Sequence, residues 1–241
     1  VGPLREWKGS RIIESVMRSS TEITTKKYEK TISIPVEDEE DDNLDVYMPS
    51  IRYLAQQTAN WRSQQVHKAI EANGNAYDDQ PFFSTTHPEL GANASNYSAG
   101  ANPAWYVLDT SKPIQPWLWG NRVAPKMTPR TAPDDPHVFD RDEYIWGVRA
   151  RGGAGYGLWQ TAYKSKTALD AANFESVVTA MRARRDDQSE TLDITPNLLL
   201  IPPQLEWDAK RLFGRSTTAD GAENIHEGGI RVLVSNRLTG A

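Results

Sequence analysis

Between Asn43 and Ala72 apolar or small residues recur at Tyr47, Ile51, Leu54, Ala55, Thr58, Trp61, Val66, Ala69 and Ile70, the three-to-four spacing of one helical face. Arg52, Gln56, Gln57, Asn60, Arg62, Ser63, Gln64 and Lys68 fall between them and suit water. Proline lacks an amide hydrogen and is tolerated in a first turn, so Pro49 predicts a start between Asn43 and Met48. Asn73-Gly74-Asn75 is a helix stop, because glycine accepts the left-handed conformation that ends helices. At about 1.5 Å rise per residue the helix is on the order of 40 Å long. That length predicts a strut in an extended, flattened subunit, with polar strands before it and a mixed domain behind it.

Seven acids and no bases lie between Glu37 and Asp45. The net charge is −5, so the chain without those seven charges stands at +2. Affinity for phosphate backbones rests on clustered Lys and Arg, which argues against a tight, sequence-specific nucleic-acid ligand. The acidic run lacks the alternating acids, central glycine and distal Glu of a calcium loop. It suits instead the positive N-terminal end of the long helix. Absence of cysteine excludes disulfides, thiolate metal sites and cysteine nucleophiles. No apolar run approaches the roughly 18 residues needed to span a bilayer, and no signal-like stretch opens the chain. The expectation is a soluble, unsecreted protein, and Val1 in place of methionine suggests a processed or trimmed chain.

Tyr28 to Val36 alternates with period two, the mark of a strand buried on one side. Arg11 to Met17 is a candidate partner, joined to it by the polar stretch Arg18 to Lys27. A two-stranded hairpin is marginal alone, so it either lies on its own domain or finds support on another subunit. Trp105 to Asp109 reads as a buried strand, and Asn121 to His137, with Pro125, Pro129, Pro133 and Pro136, as a proline-rich loop. Tyr144 to Arg151 and Gly157 to Tyr163 read as strands around a turn at Gly152-Gly153-Ala154-Gly155. No helix start or lysine makes that glycine cluster a phosphate cradle. A second helix runs from a cap at Thr167 or Asp170 to about Arg184, with Leu169, Phe174, Val177, Val178 and Met181 inward. Leu198 to Ile201 is an apolar strand, Pro202-Pro203 opens a third helix closed by Gly214, and Ile230 to Ser235 is a last strand beside Leu198 to Ile201 in one mixed sheet.

Asp78, Asp79 and His87 raise a metal or hydrolytic reading, but lack ligand spacing or an orienting third group. A loop tucked down by Phe82 and Phe83 explains the stretch better. Eight tryptophans and many acids raise a carbohydrate-active enzyme, yet there is no assignable acid pair, nucleotide loop or Ser/His/Asp order. No catalytic, cofactor-binding or metal residue is assigned.

Six stretches in order carry a resemblance: Leu4-Arg-Glu-Trp-Lys-Gly-Ser-Arg11, Glu39-Glu-Asp-Asp-Asn-Leu-Asp-Val-Tyr-Met-Pro49, Tyr77-Asp-Asp-Gln-Pro-Phe-Phe-Ser-Thr-Thr-His-Pro88, Pro103-Ala-Trp-Tyr-Val-Leu-Asp-Thr-Ser111, Gly155-Tyr-Gly-Leu-Trp-Gln160 and Pro196-Asn-Leu-Leu-Leu-Ile-Pro-Pro203. Together they resemble the Mu-like prophage major head subunits, a family of tailed-phage major capsid proteins. The resemblance implies an α+β capsid fold of the Hong-Kong-ninety-seven type. Its expected parts are an extended β-hairpin loop over 1–36, a peripheral domain with a long spine helix over 37–100, a mixed α/β axial domain over 101–224 and a closing strand over 225–241. It further implies a structural subunit of the virion, not an enzyme, assembled in the host cytoplasm. Self-assembly into hexamers and pentamers would form an icosahedral head around double-stranded DNA held without sequence-specific binding. Scaffolding, portal or decoration proteins are further expected partners, and no membrane is involved. On that reading Lys26, Lys27, Glu29 and Lys30 of the hairpin are intersubunit contacts. The alternative is a nanocompartment shell of the same fold around protein cargo.

Overall fold

The computed structural model describes residues 23–40, 44–186, 189–218 and 221–240. Its first elements are β1 (Lys26–Pro35), α1 (Val36–Glu40), α2 (Leu44–Ala72), β2 (His87–Glu89), β3 (Ala92–Ala94), β4 (Tyr97–Ser98), β5 (Trp105–Leu108) and β6 (Trp117–Arg130). Then follow α3 (Pro136–Arg141), β7 (Glu143–Tyr156), β8 (Ala162–Ser165), α4 (Ala171–Arg182), β9 (Leu198–Ile201), α5 (Glu206–Phe213) and β10 (Arg231–Val234). Among the described residues no helix is long and apolar enough to cross a membrane.

The chain divides into two compact units. One holds Ile23–Lys68 and Trp119–Gly155; the other holds Ala69–Leu118 and Tyr156–Ala241.

In the first unit a three-stranded sheet, ordered β1-β7-β6, carries the long helix α2. The sequence predicts this helix to within one residue at its start. Pro49 sits just past the first turn, where it forfeits one main-chain hydrogen bond. The buried stripe is thinner than the periodicity predicts, because three strands cover little of so long a helix. Leu54 is buried and Trp61 half-buried, while Ala55 and Tyr53 are exposed. An aromatic chain does much of the joining: Tyr28 meets Trp61 edge-on at 5.1 Å, and Trp61 meets Trp119 at 4.9 Å. The Tyr28 hydroxyl donates to Gln65 Oε1 at 2.9 Å.

Two expectations are overturned in this sheet. The glycine cluster is not a turn, since β7 runs straight through it. A Cβ on Gly152 would stand 2.7 Å from the Trp119 ring and 2.9 Å from the Gly120 carbonyl, and one on Gly153 only 2.2 Å from the Thr24 carbonyl. The glycines therefore permit close approach inside a strand. The proline-rich loop is likewise mostly strand, for β6 contains Pro125 and Pro129. Among the described residues β6 is an edge strand, where proline, which lacks an amide hydrogen, is tolerated.

The described partner of β1 is β7, antiparallel over the whole strand from Lys26 opposite Gly152 to Pro35 opposite Glu143. Arg11 to Met17, the partner expected from sequence, lies outside the described residues.

The second unit is built on a five-stranded mixed sheet ordered β10-β9-β5-β8-β4. As expected, β10 lies beside β9, and the pairing is parallel. Trp105 and Val107 of β5 join Leu199 and Ile201 under Phe174, Val177 and Met181 of α4 and Ala209 and Phe213 of α5. Tyr106, on the alternate face, meets Phe83 at 5.5 Å. Both faces of β5 are thus covered, and all four of its residues are buried, which accounts for an apolar run without alternation. α4 starts at Asp170, whose side chain accepts from Asn173 N. Gly157 to Tyr163, expected as strand, is instead a single 3-10 turn at Trp159–Thr161 leading into β8.

The Asp78/His87 stretch is a tether rather than a reactive site. His87 is fully buried and stacked on Trp159, with ring centroids 4.0 Å apart and planes 6° from parallel. Its Nδ1 lies 2.6 Å from Asp78 Oδ2 and its Nε2 3.2 Å from the Phe82 carbonyl. Both ring nitrogens are engaged, so neither is left for a metal or a substrate. Arg184 lies over the Trp159 ring at 5.4 Å and pairs with Glu89 at 3.0 Å. Asn96 Nδ2 donates to the Phe82 carbonyl at 2.7 Å, and Asn96 Oδ1 accepts from Ser84 N at 2.9 Å. As expected, Phe82 and Phe83 are buried.

His87→Ala removes a stacked ring and leaves Asp78 without its partner, so a loss of roughly 3 kcal/mol in unfolding free energy is expected. Urea denaturation measures it, and a change below about 1 kcal/mol, the range of a surface substitution, would contradict the tether. Gly153→Ala forces main chain apart and is expected to cost at least ~2 kcal/mol, against under about 1 kcal/mol for the neighbouring Ala154→Gly. Similar costs for the two in thermal melts would return this stretch to the status of a tolerant loop.

Candidate assembly surface

The first unit carries its polar and charged residues on strands of fixed register, so the sidedness of each follows from alternation. Lys26, Lys27, Glu29 and Lys30 are all exposed on β1. They do not form one patch. Lys30 shares the α2 side of the sheet with Tyr28 and Ile32, and Lys26 has the same parity. Lys27 and Glu29 fall on the opposite side, where Glu29 faces Arg149 across the β1–β7 pair and accepts from Thr31 Oγ1 at 3.3 Å. β1 therefore presents charge to both sides while paired along its length with β7 of the same chain.

On the α2 side an open groove of about 860 Å³ runs between helix and sheet. Tyr28, Ile32, Leu54, Trp61, Val148 and Ala150 make it apolar, and Lys30, Gln64 and Lys68 stand along it.

The loop between β6 and β7 is rigidly built. Asp135 caps α3 by accepting from His137 N at 2.9 Å, and Arg130 grips the same carboxylate with two bonds of 2.8 and 2.6 Å. That guanidinium holds the Asp135 carboxyl below the ordinary carboxylate range. Asp142, in the left-handed conformation at φ 55°, ends the helix. The result is a fixed tip with Phe139 at its surface, 84% exposed. In the second unit Ile225, 81% exposed, sits between Asn224 and His226. Asn224 Nδ2 donates to the Leu212 and Arg215 carbonyls at 2.8 and 2.7 Å. Neither residue was singled out in the sequence, where an apolar residue in a polar loop gives no sign of exposure.

Among the described residues no group of three or more His, Asp or Glu could hold a metal ion. What this geometry offers is surface: fixed charges, an apolar groove and aromatic or aliphatic residues held out into water. Such features make contacts with macromolecules.

The family model described as Mu-like prophage major head subunit gpT matches residues 1–238. The Mu-like prophage FluMu major head subunit of Haemophilus influenzae is 34% identical over 232 residues, which cover 90% of this chain and 75% of that protein. The major capsid protein of Escherichia phage Mu is 30% identical over 251 residues, 98% of this chain and 82% of that one. The capsid of bacteriophage JBD30 superposes with a TM-score of 0.86 at 27% identity, covering 98% of this chain and 82% of that chain. The JBD30 capsid decorated with minor capsid protein trimers gives 0.81 at 26% identity, covering 98% and 82%. These relatives are structural proteins of phage heads, and none is a nanocompartment shell, so that alternative is set aside. A tailed-phage capsid fold, a matched model over nearly the whole chain and two relatives at 30% identity or above agree: the chain belongs to the Mu-like prophage major head subunit family, the major capsid proteins of phage heads.

Proposed function

We propose that this subunit assembles in the host cytoplasm into hexamers and pentamers of an icosahedral head. The shell is of the Hong-Kong-ninety-seven type and encloses double-stranded DNA without reading its sequence. The unit of Ile23–Lys68 and Trp119–Gly155, with the spine helix α2, takes the peripheral role, and the five-stranded unit the axial one. The observation that carries this reading is the pair of rigidly held, water-exposed apolar residues, Phe139 and Ile225, in a chain similar over nearly its full length to a capsid subunit. Burying such side chains contributes roughly 25 cal/mol per Å², and a lone subunit leaves that contribution unused. Charge fixes the orientation of neighbours more than the strength of their contact, and Lys26, Lys27, Glu29 and Lys30 serve that role on β1. The JBD30 capsid bears minor capsid protein trimers, which supports a decoration protein as a partner here. Portal and scaffolding proteins complete the set.

Negative-stain electron microscopy and sedimentation of the full-length protein test the reading: closed particles of uniform size are expected. A monodisperse monomer or dimer at high concentration sinks it. Lys26→Glu with Lys27→Glu should block or alter assembly while leaving the circular dichroism spectrum of the subunit unchanged. Normal shells from that variant would remove both lysines from the interface. Phe139→Ala is expected to slow assembly at least about tenfold, the effect of losing a contact worth 1.4 kcal/mol or more, with no change in subunit melting.

A further inference from the structure

The first unit carries an apolar knob and an apolar hollow that do not meet. The knob is Phe139, 84% exposed on α3. Val138, the residue before it, turns inward and is buried, so α3 cannot roll Phe139 under without pulling Val138 out. The Asp135 cap with Arg130 fixes one end of the helix and Asp142 the other. An aromatic side chain offers roughly 150–250 Å² for burial, and within its own subunit Phe139 leaves most of that in water.

The hollow is the groove of about 860 Å³ between α2 and the sheet. Tyr28, Ile32, Leu54, Trp61 and Val148 line it, and Tyr53, 62% exposed, stands at its rim. It has room for a phenyl ring and the residues beside it, and Tyr28 and Trp61 offer ring edges and faces for such a ring to meet.

The charges around knob and hollow are opposite in sign. From Arg130 to Glu143 there are five acids, Asp134, Asp135, Asp140, Asp142 and Glu143, and two bases, Arg130 and Arg141. Arg130 is taken up by Asp135, and His137 lies 3.9 Å from Glu143, which leaves Asp134, Asp140 and Asp142 exposed against Arg141 alone. Exposed Glu37 adds to the acids, since the Val36 N–H donates to the Asp142 carbonyl at 3.0 Å. The charged residues lining the groove are Lys30, Lys68 and Glu29. Both lysines are exposed, while Glu29 stands opposite Arg149 in the β1–β7 pair. An apolar knob with an acidic collar therefore fits, on another copy, an apolar groove with lysines along it. Knob and groove are different surfaces, so the contact is head to tail, the kind that closes into a ring when its rotation allows.

We infer that Phe139 of one subunit seats in the groove between α2 and the sheet of its neighbour, with Asp134 and Asp140 beside Lys30 and Lys68. The inference rests on the shell reading and names the surface that receives Phe139.

The chain has no cysteine, so introduced thiols report contacts without background. Two full-length variants, Asp140→Cys at the tip and Gln57→Cys in the groove, are shown to react as unassembled subunits, then mixed, assembled and treated with a short bis-maleimide. A covalent dimer is expected in shells of the mixture and in shells of neither variant alone. A dimer from Asp140→Cys alone means that tip meets tip and overturns the inference. A mixture without dimer also overturns it and leaves the groove to another occupant. A charge swap gives a second readout. Asp134→Lys with Asp140→Lys, and Lys30→Glu with Lys68→Glu, are each expected to lower shell yield on the order of tenfold by like-charge contact. All four changes together should bring yield back to within about threefold of the unaltered protein, with circular dichroism and melting establishing that every subunit is folded. A folded fourfold variant no better than either pair overturns the seating while leaving the shell reading intact. Failure of the unaltered protein to form shells in the same assay removes the shell reading and the seating with it.

Discussion

The contact between Trp61 and Trp119 above Gly152 fixes the first unit. Among the described residues a helix of 29 residues lies on a sheet of three strands and has few places to bury apolar surface, so one dense aromatic contact carries a disproportionate share. It exists because position 152 has no side chain, as any Cβ there would enter the Trp119 ring. The same economy appears at Gly153, where the main chain at Thr24 comes too close for a side chain. With the helix seated, β1 and β7 present their remaining residues in strict alternation, which separates an apolar groove from a charged face.

The second unit solves the opposite problem. It has a full core between helices and sheet, and its difficulty is the irregular stretch from Asn73 to Asn96. Polar groups buried or half-buried there are satisfied internally: His87 by Asp78 and the Phe82 carbonyl, Asn96 by Ser84 and Phe82, and half-buried Asn73 by two bonds with the Phe83 main chain at 2.7 and 3.1 Å. Buried donors and acceptors are costly unless paired. The loop is therefore held as firmly as a regular element.

Elements whose cause is local were legible in the sequence. α2, α4 and α5 follow from apolar spacing, from the Asp170 cap and from Gly214, and β5, β9 and β10 from short β-prone runs. The failures share a cause. Gly152 to Gly155 and Pro125 to Pro129 carry the composition of turns and loops, but a strand uses glycine where another chain segment presses on it and proline where its edge faces no partner. Both conditions are set by residues far away in sequence. α3 was missed because six residues give too short a period to detect, although Asp135 and Pro136 are a cap and a first helical residue. The candidate surface was legible only as charge. Glu29 and Lys30 fall in a strand that the period-two alternation marks, whereas Lys26 and Lys27, which read as the end of a polar connection, belong to the same strand, and the division of the four between two sides depends on which face meets α2.

Pro125 and Pro129 have a further consequence for a protein present in many crowded copies. An exposed strand edge with free amide hydrogens invites another chain to add to the sheet. Among the described residues β6 is such an edge, and two of its residues have no amide hydrogen while Lys126 between them adds charge. Sheet growth by strand addition is blocked on that side. On that side a contact with another copy is left to side chains of finite, shape-specific surfaces rather than to a continuous ladder, which is the difference between a contact that ends and one that propagates as a fibre.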